Sequence, residues 1–343
     1  MKSLRIAAFL AAVVLAACAV ARGASGSMYT VRQKILVGGD GGWDYLVVDP
    51  NARRLYVTHG TRVEVFDADS LKPVGEIPKT AGVHGVALDP DLGRGFISNG
   101  KASSVTIFDL KTLRTIDEVH IRGENPDAIL YDPASKRVFV FNGRSADATV
   151  LDPSTGATLQ TIPLGGKPEF ATSDLEGRVF VNIEDKSEVV ALDSRKPAVA
   201  TRWPLTPCEE PSGMAIDRAH RRLYIGCSNR LMAVLDTTSG RVIATVPIGA
   251  GVDANAFDPA TGLAFSANGE GSLTVAHEES PGKFAAVSVP TQRGARTMAL
   301  DEKTHRVFLV TAEYGPAPAP TAEQPRPRPA ILPGTFTILV AAP

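Results

Sequence analysis

Seven aspartates set a period in this chain. Asp49, Asp89, Asp132, Asp174, Asp217, Asp258 and Asp301 each close a short apolar run, and they recur at intervals of 40 to 43 residues. Proline follows four of them, and Asp-Pro starts a tight turn: the ring presets φ while the carboxylate caps the turn. Between Asn99 and Val140 one whole unit is legible as four runs rich in Val, Ile and Phe, each ended by a turn signal. Four antiparallel strands per unit is the natural reading. Second strands are expected at Leu55-Tyr56-Val57-Thr58, Val138-Phe139-Val140, Val179-Phe180-Val181, Leu223-Tyr224-Ile225 and Val307-Phe308-Leu309. Third strands end in a second marker at Asp67, Asp109, Asp152, Asp193 and Asp236, and fourth strands in segments such as Ala244 to Gly249.

A repeat of this length with four strands is the signature of a propeller blade. The expected fold is therefore all-β, a seven-bladed β-propeller with four antiparallel strands per blade. The last unit runs out after its third strand, Thr335 to Val340, and the missing strand lies at the other end of the chain. Gln33 to Gly38 carries the fourth-strand pattern. Pairing the two closes the ring and removes the open sheet edges.

Composition agrees with a turn-rich globular protein. Of 343 residues, 44% are hydrophobic and 21% charged, with 31 glycines, 25 prolines and only 6% aromatics. That is enough apolar material for a sizeable core, so disorder is not the default. A formal charge of -1 gives no broad basic footprint, which argues against nucleic acid as the partner. No later apolar stretch reaches eighteen residues, so no transmembrane helix is expected in the mature chain.

The first eighteen residues read as an export signal. Lys2 and Arg5 precede an apolar run from Ile6 to Ala17, the length of a signal-peptide core. The run ends in Leu15-Ala16-Ala17-Cys18, which resembles a bacterial lipobox and would make Cys18 a lipidated N-terminus. Cleavage after Ala19-Val20-Ala21, with release as a soluble protein, stays open beside it. Residues 19–28 then form a tether and 29–341 the propeller domain. The cell envelope or periplasm is the expected location, and cysteine usage fits it. Cys208 and Cys227 form an even pair, and a hairpin turning near Arg218 to Arg221 would bring them together as a disulfide.

The repeated unit D-P-x-x-x-R-[LV]-[YF]-V-[TN], then V-x-[VI]-[FL]-D, then I-P-[LV]-G resembles the YVTN-type β-propeller repeat family, which includes the YncE-like exported bacterial proteins. Arg53 to Thr58, Arg137 to Asn142 and Arg178 to Asn182 carry it best, and the resemblance runs from about Tyr29 to Val340. Blade six departs, with Ala264-Phe265-Ser266 in its second strand and His277 where other third strands carry Asp. These motifs specify structure, and members of such families differ widely in role. The resemblance implies fold and export more than activity.

One constellation is forced together by the repeat. Five residues before each marker lies the position that opens the inner strand at the channel mouth: Asp44, His84, Asp127, Glu169, Ser212, Asp253 and Arg296. All are polar, so this ring is the candidate ligand-binding site. Asp44, Asp127, Glu169 and Asp253 are the candidate ligands of a divalent cation such as calcium, since hard cations take carboxylate oxygens. The plainer account is a wet channel mouth in which Arg296 neutralises Asp44 or Asp253. Linker residues Asp40, Glu124, Glu209 and Glu210 outnumber Arg122, Lys167 and Arg293, which tilts against phosphate ligands.

Other features carry less. Gly38 to Gly42 precedes no helix and reads as a linker, and no GxSxG, HExxH or CxxC motif occurs. His59 is expected as a solvated loop residue on the same rim, the top. Gly315 to Pro333 inserts nineteen residues, seven of them proline, between the second and third strands of blade seven. It is expected as an extended polyproline segment projecting from the top rim. Together these features point to an exported binding or scaffold module that recognises a small ligand or an envelope protein on its top rim. The alternative is a lactonase-like, metal-assisted hydrolase built on the ring carboxylates, with His84 as a candidate general base.

Overall fold

The computed structural model describes residues 29–319, 321, 327 and 329–343. The export signal, Cys18 and the tether lie outside the described residues, as does part of the proline-rich insertion. Seven four-stranded antiparallel sheets form a ring of blades. Apart from the one-turn helix Glu184–Lys186, every regular element among the described residues is a strand.

Blade one shows the common path. Its inner strand Trp43–Asp49 descends from the top rim, Arg54–His59 returns, Arg62–Asp67 descends again, and Pro73–Pro78 climbs the outer edge. The marker carboxylates do what the turn chemistry predicts: Asp49 Oδ1 accepts from the amides of Asn51 and Ala52 at 2.9 Å. Asp67 and Asp109 cap the lower turn between third and fourth strands in the same way, accepting from Ser70 N and Thr112 N at 2.7 Å. The residue before each second strand must adopt a left-handed backbone. Arg53, Lys136, Arg221 and His305 do so at φ near +55°, and blade two uses Gly93 there.

Second and third strands are buried on both faces because each sheet is sandwiched between its neighbours. Arg137–Asn142, for example, is buried at every position after the first. Seven apolar layers result, one at each blade interface. One is Tyr56, Val63 and Val65 of blade one against Val86, Ile97 and Phe108 of blade two. The outer strands are largely exposed, which explains their weaker patterning.

The arginine in the repeat acts between blades. Arg94 Nη1 donates to the Pro153 carbonyl of the next blade at 3.0 Å, and Arg137 Nη1 donates to those of Ser194 and Arg195 at 2.9 and 2.8 Å. Arg54, Arg178 and Arg306 repeat the contact with Leu110, Thr237 and Ala68, while Arg222 reaches the Glu278 carboxylate. Leu263 stands at the equivalent position in blade six. Its neighbour, blade seven, has no lower turn to reach, because that sheet is assembled from both ends of the chain.

Thr30–Leu36 pairs antiparallel with Thr337–Ala342, completing the sheet with Arg306–Thr311 and Met298–Asp301. The closing strand thus begins three residues earlier than its I-P-[LV]-G likeness suggested, with a bulge between Val31 and Gln33. Tyr29 seals the lower end. Its ring packs edge-on against Phe265 at 5.1 Å, and its hydroxyl donates to the His305 carbonyl at 2.8 Å. Tyr29 and Pro343 therefore both lie at the lower face, opposite the mouth. Cys208 and Cys227 form the expected disulfide, with Cα atoms 5.7 Å apart, tying the linker before blade five to the end of its second strand.

Candidate functional site at the channel mouth

A recurrent irregularity makes the mouth. In six blades the pairing of first and second strands slips where the inner strand begins, as between Trp43 and Leu46, Val83 and Val86, or Pro126 and Ile129. A bulge inserts an extra residue and re-aims side chains. Successive residues line the channel in four blades, and in blades one and four they include an aromatic ring: Asp44 with Tyr45, and Glu169 with Phe170.

All seven ring residues line one cavity of about 350 Å³. His84 Nδ1 lies 2.5 Å from Asp44 Oδ2 and 3.5 Å from Asp127 Oδ1. Glu169 pairs with Lys167 Nζ at 2.5 Å, and Lys167 also meets Glu184. Arg296 Nε donates to Asp253 Oδ2 at 2.6 Å, while Ser212 Oγ donates to Asp253 Oδ1 at 2.9 Å. Asp253 is thus the partner of Arg296, and Asp44 belongs to His84. Tyr45 and Phe170, from opposite sides of the ring, stack at 5.2 Å and floor the cavity.

Crowded carboxylates on a poorly solvated floor change their protonation. Burial, with the charges of Asp44 and Asp253, pushes Asp127 up to about 7 against the pull of His84. Burial and Asp127 push Glu169 up to about 8 despite its bond to Lys167. Asp44 is raised as well, mainly by burial. His84 is pushed down by burial, but its bond to Asp44 and the charges of Asp127 and Asp44 outweigh this and leave it at about 9. Shifts of this kind gather where a site is built for charge.

Of the candidate cation ligands, Asp44 and Asp127 converge with His84, their ligand atoms lying within 4.8 Å of one another. Two carboxylates and an imidazole at this spacing suit a divalent cation. Glu169 and Asp253 face the same cavity with their own cationic partners.

Three further findings concern the rim. His59 is not a solvated loop residue: it is fully buried and stacks on Phe336 at 3.9 Å, because the closing sheet covers it. Tyr45 and Phe170 escaped the sequence reading, although the position after each ring residue runs Tyr45, Gly85, Ala128, Phe170, Gly213, Ala254, Thr297. Two rings among five small or short side chains are the signal that was there. The insertion is not free along its whole length. Its ends are joined by a bridge between Tyr314 and Ile331, and Gly315 N donates to the Ala330 carbonyl at 2.9 Å.

Compared with models of known families and with curated proteins, the chain matches none. What fold and site define together is a seven-bladed β-propeller with a charged, floored cavity at the top of its axis. No helix among the described residues is long and apolar enough to cross a membrane.

Proposed function

We propose that this chain is an exported propeller of the YVTN-repeat kind, tethered through a lipidated Cys18, that binds a small cationic ligand or a divalent cation in its mouth. The observation that carries the binding reading is the convergence of all seven ring side chains on one cavity. Four of them are carboxylates, held by a rigid scaffold and set over an aromatic floor. Preorganised groups of this sort lower the cost of ordering on binding. Recognition is non-covalent, with calcium or another divalent ion as the first candidate and an organic ammonium as the second.

Metal-assisted hydrolysis is the second reading, and the Asp44, His84 and Asp127 cluster favours it. His84 as a general base has its own charge against it, since an imidazolium holding its proton to about 9 cannot accept another at neutral pH. Calorimetric titration of calcium, manganese and zinc into the mature protein tests both readings. Stoichiometric binding that disappears in Asp127→Ala supports the site and justifies a screen of lactones and esters. If no divalent ion binds and benzylammonium gives no heat either, the mouth is a structural feature only.

A further inference from the structure

A second, larger space opens beside the mouth. It measures about 590 Å³ and shares Asp253 and Arg296 with the central cavity, so the two adjoin at that ion pair. Trp43 and Tyr314 stand in its wall with ring centroids 6.4 Å apart, and Pro329 and Ile331 from the base of the insertion cover it. Its floor is bare backbone at Gly42, Gly251, Gly269 and Gly294. A β-carbon at Gly42, an exposed lining residue, would meet no atom within 4 Å, so a side chain can be added there without a clash.

The groove sets one carboxylate, Asp253, against two guanidinium groups, Arg293 and Arg296. Arg293 lies over the Tyr314 ring at 5.5 Å and has no carboxylate partner among the described residues. Arg296 spends Nε on Asp253, and its terminal nitrogens make no hydrogen bond to a described residue. The segment that carries both is braced. Gly294 N donates to the Gly269 carbonyl at 2.8 Å, and Thr311 Oγ1 donates to the Arg293 carbonyl at 2.6 Å. One guanidinium over the Tyr314 ring and a second anchored on Asp253, beside two tilted aromatic rings, suit a planar anion, because guanidinium forks match carboxylates and an aromatic ligand can pack on the rings. Asp253, shared with the mouth, disfavours a doubly charged group such as phosphate.

From this geometry we infer that the groove is an anionic subsite for a carboxylate carried on an aromatic ring. The inference rests on reading the mouth as a binding site, because it makes the whole ligand a zwitterion: its ammonium in the mouth and its carboxylate against Arg293 and Arg296.

Fluorescence titration tests it on the mature protein. The chain holds two tryptophans, so Trp203→Phe leaves Trp43 as the only reporter, inside the groove. Benzoate should give a saturable change in Trp43 emission. Arg293→Ala should weaken it roughly tenfold, the loss expected for a charge-assisted hydrogen bond. Gly42→Leu should abolish it while the melting temperature holds, since the added side chain enters open space. 4-(Aminomethyl)benzoate should bind more tightly than benzoate or benzylammonium, and Asp127→Asn should cancel that gain. The absence of a saturable benzoate response in a protein with wild-type melting would overturn the subsite, as would a response indifferent to both groove variants. Benzoate binding with no gain from the amine would keep the subsite and remove the ammonium site in the mouth. Benzylammonium binding without benzoate binding would do the reverse.

Discussion

Arg53 and Asp301, 248 residues apart, form a two-pronged ion pair across the seam where the first blade meets the last, at 2.9 and 2.7 Å. Asp301 is fully buried, and although burial opposes it, the Arg53 hydrogen bonds hold its carboxyl down at about 2 against an ordinary 3.8. Removing one partner of a buried pair leaves the other uncompensated. Arg53→Ala should therefore cost about 2–4 kcal/mol at neutral pH. Because the folded-state value is depressed, the pair's contribution is present above about 4 and is lost as pH falls through about 2. Urea unfolding of wild type and variant should show a gap that is constant above pH 5 and closes toward pH 2.

The arginines between blades should matter individually, since five of the six, all but Arg222, satisfy carbonyls at the end of a lower turn. Arg137→Ala removes bonds to Ser194 and Arg195 and should cost about 1–3 kcal/mol in chemical denaturation. Leu263→Arg restores the motif in blade six but finds no lower turn in blade seven. It should bring no gain in stability, and a gain comparable to the Arg137 loss would refute this account of the gap in the repeat.

The disulfide spans a sequence separation of 19. Closing a loop of that size restricts the unfolded chain by roughly 3 kcal/mol. Reduction, or the pair Cys208→Ser with Cys227→Ser, should lower the denaturation midpoint accordingly while leaving the far-ultraviolet spectrum of the folded protein unchanged.

In the mouth, proton occupancy is directly measurable. Imidazole resonances of His84 should titrate near 9, well above the ordinary 6.5. Asp44→Asn keeps the shape but removes the charge closest to the ring, so His84 should then titrate far closer to its ordinary value. The raised value stabilises the fold below about 6.5 and is lost as pH climbs through about 9. A His84 that titrates unchanged in Asp44→Asn would place the source of its charge elsewhere in the ring.

Much of this architecture is written in the order of residues. The marker aspartates were readable because capping a turn is local chemistry, and the ring from Asp44 to Arg296 followed because a fixed period forces equivalent positions round one axis. What escaped depended on contacts between distant segments. Strict alternation assigns one residue in two to the axis, so Tyr45 and Phe170, which follow a ring residue directly, were hidden from it. His59 looked like a loop residue because nothing near it in sequence announces Phe336, which covers it from the far end of the chain. The groove is equally invisible from any single stretch, since Gly42, Arg293 and Tyr314 meet only once the ring has closed.

Joining both ends of the chain in one blade also decides how the molecule can be presented. A handle placed ahead of Tyr29 or after Pro343 leaves from the face away from the mouth. A bead, sensor chip or membrane reached through either end will therefore hold the ring with its cavity turned to the solution, whereas a label at Pro329 or Ile331 will stand against the groove beside it.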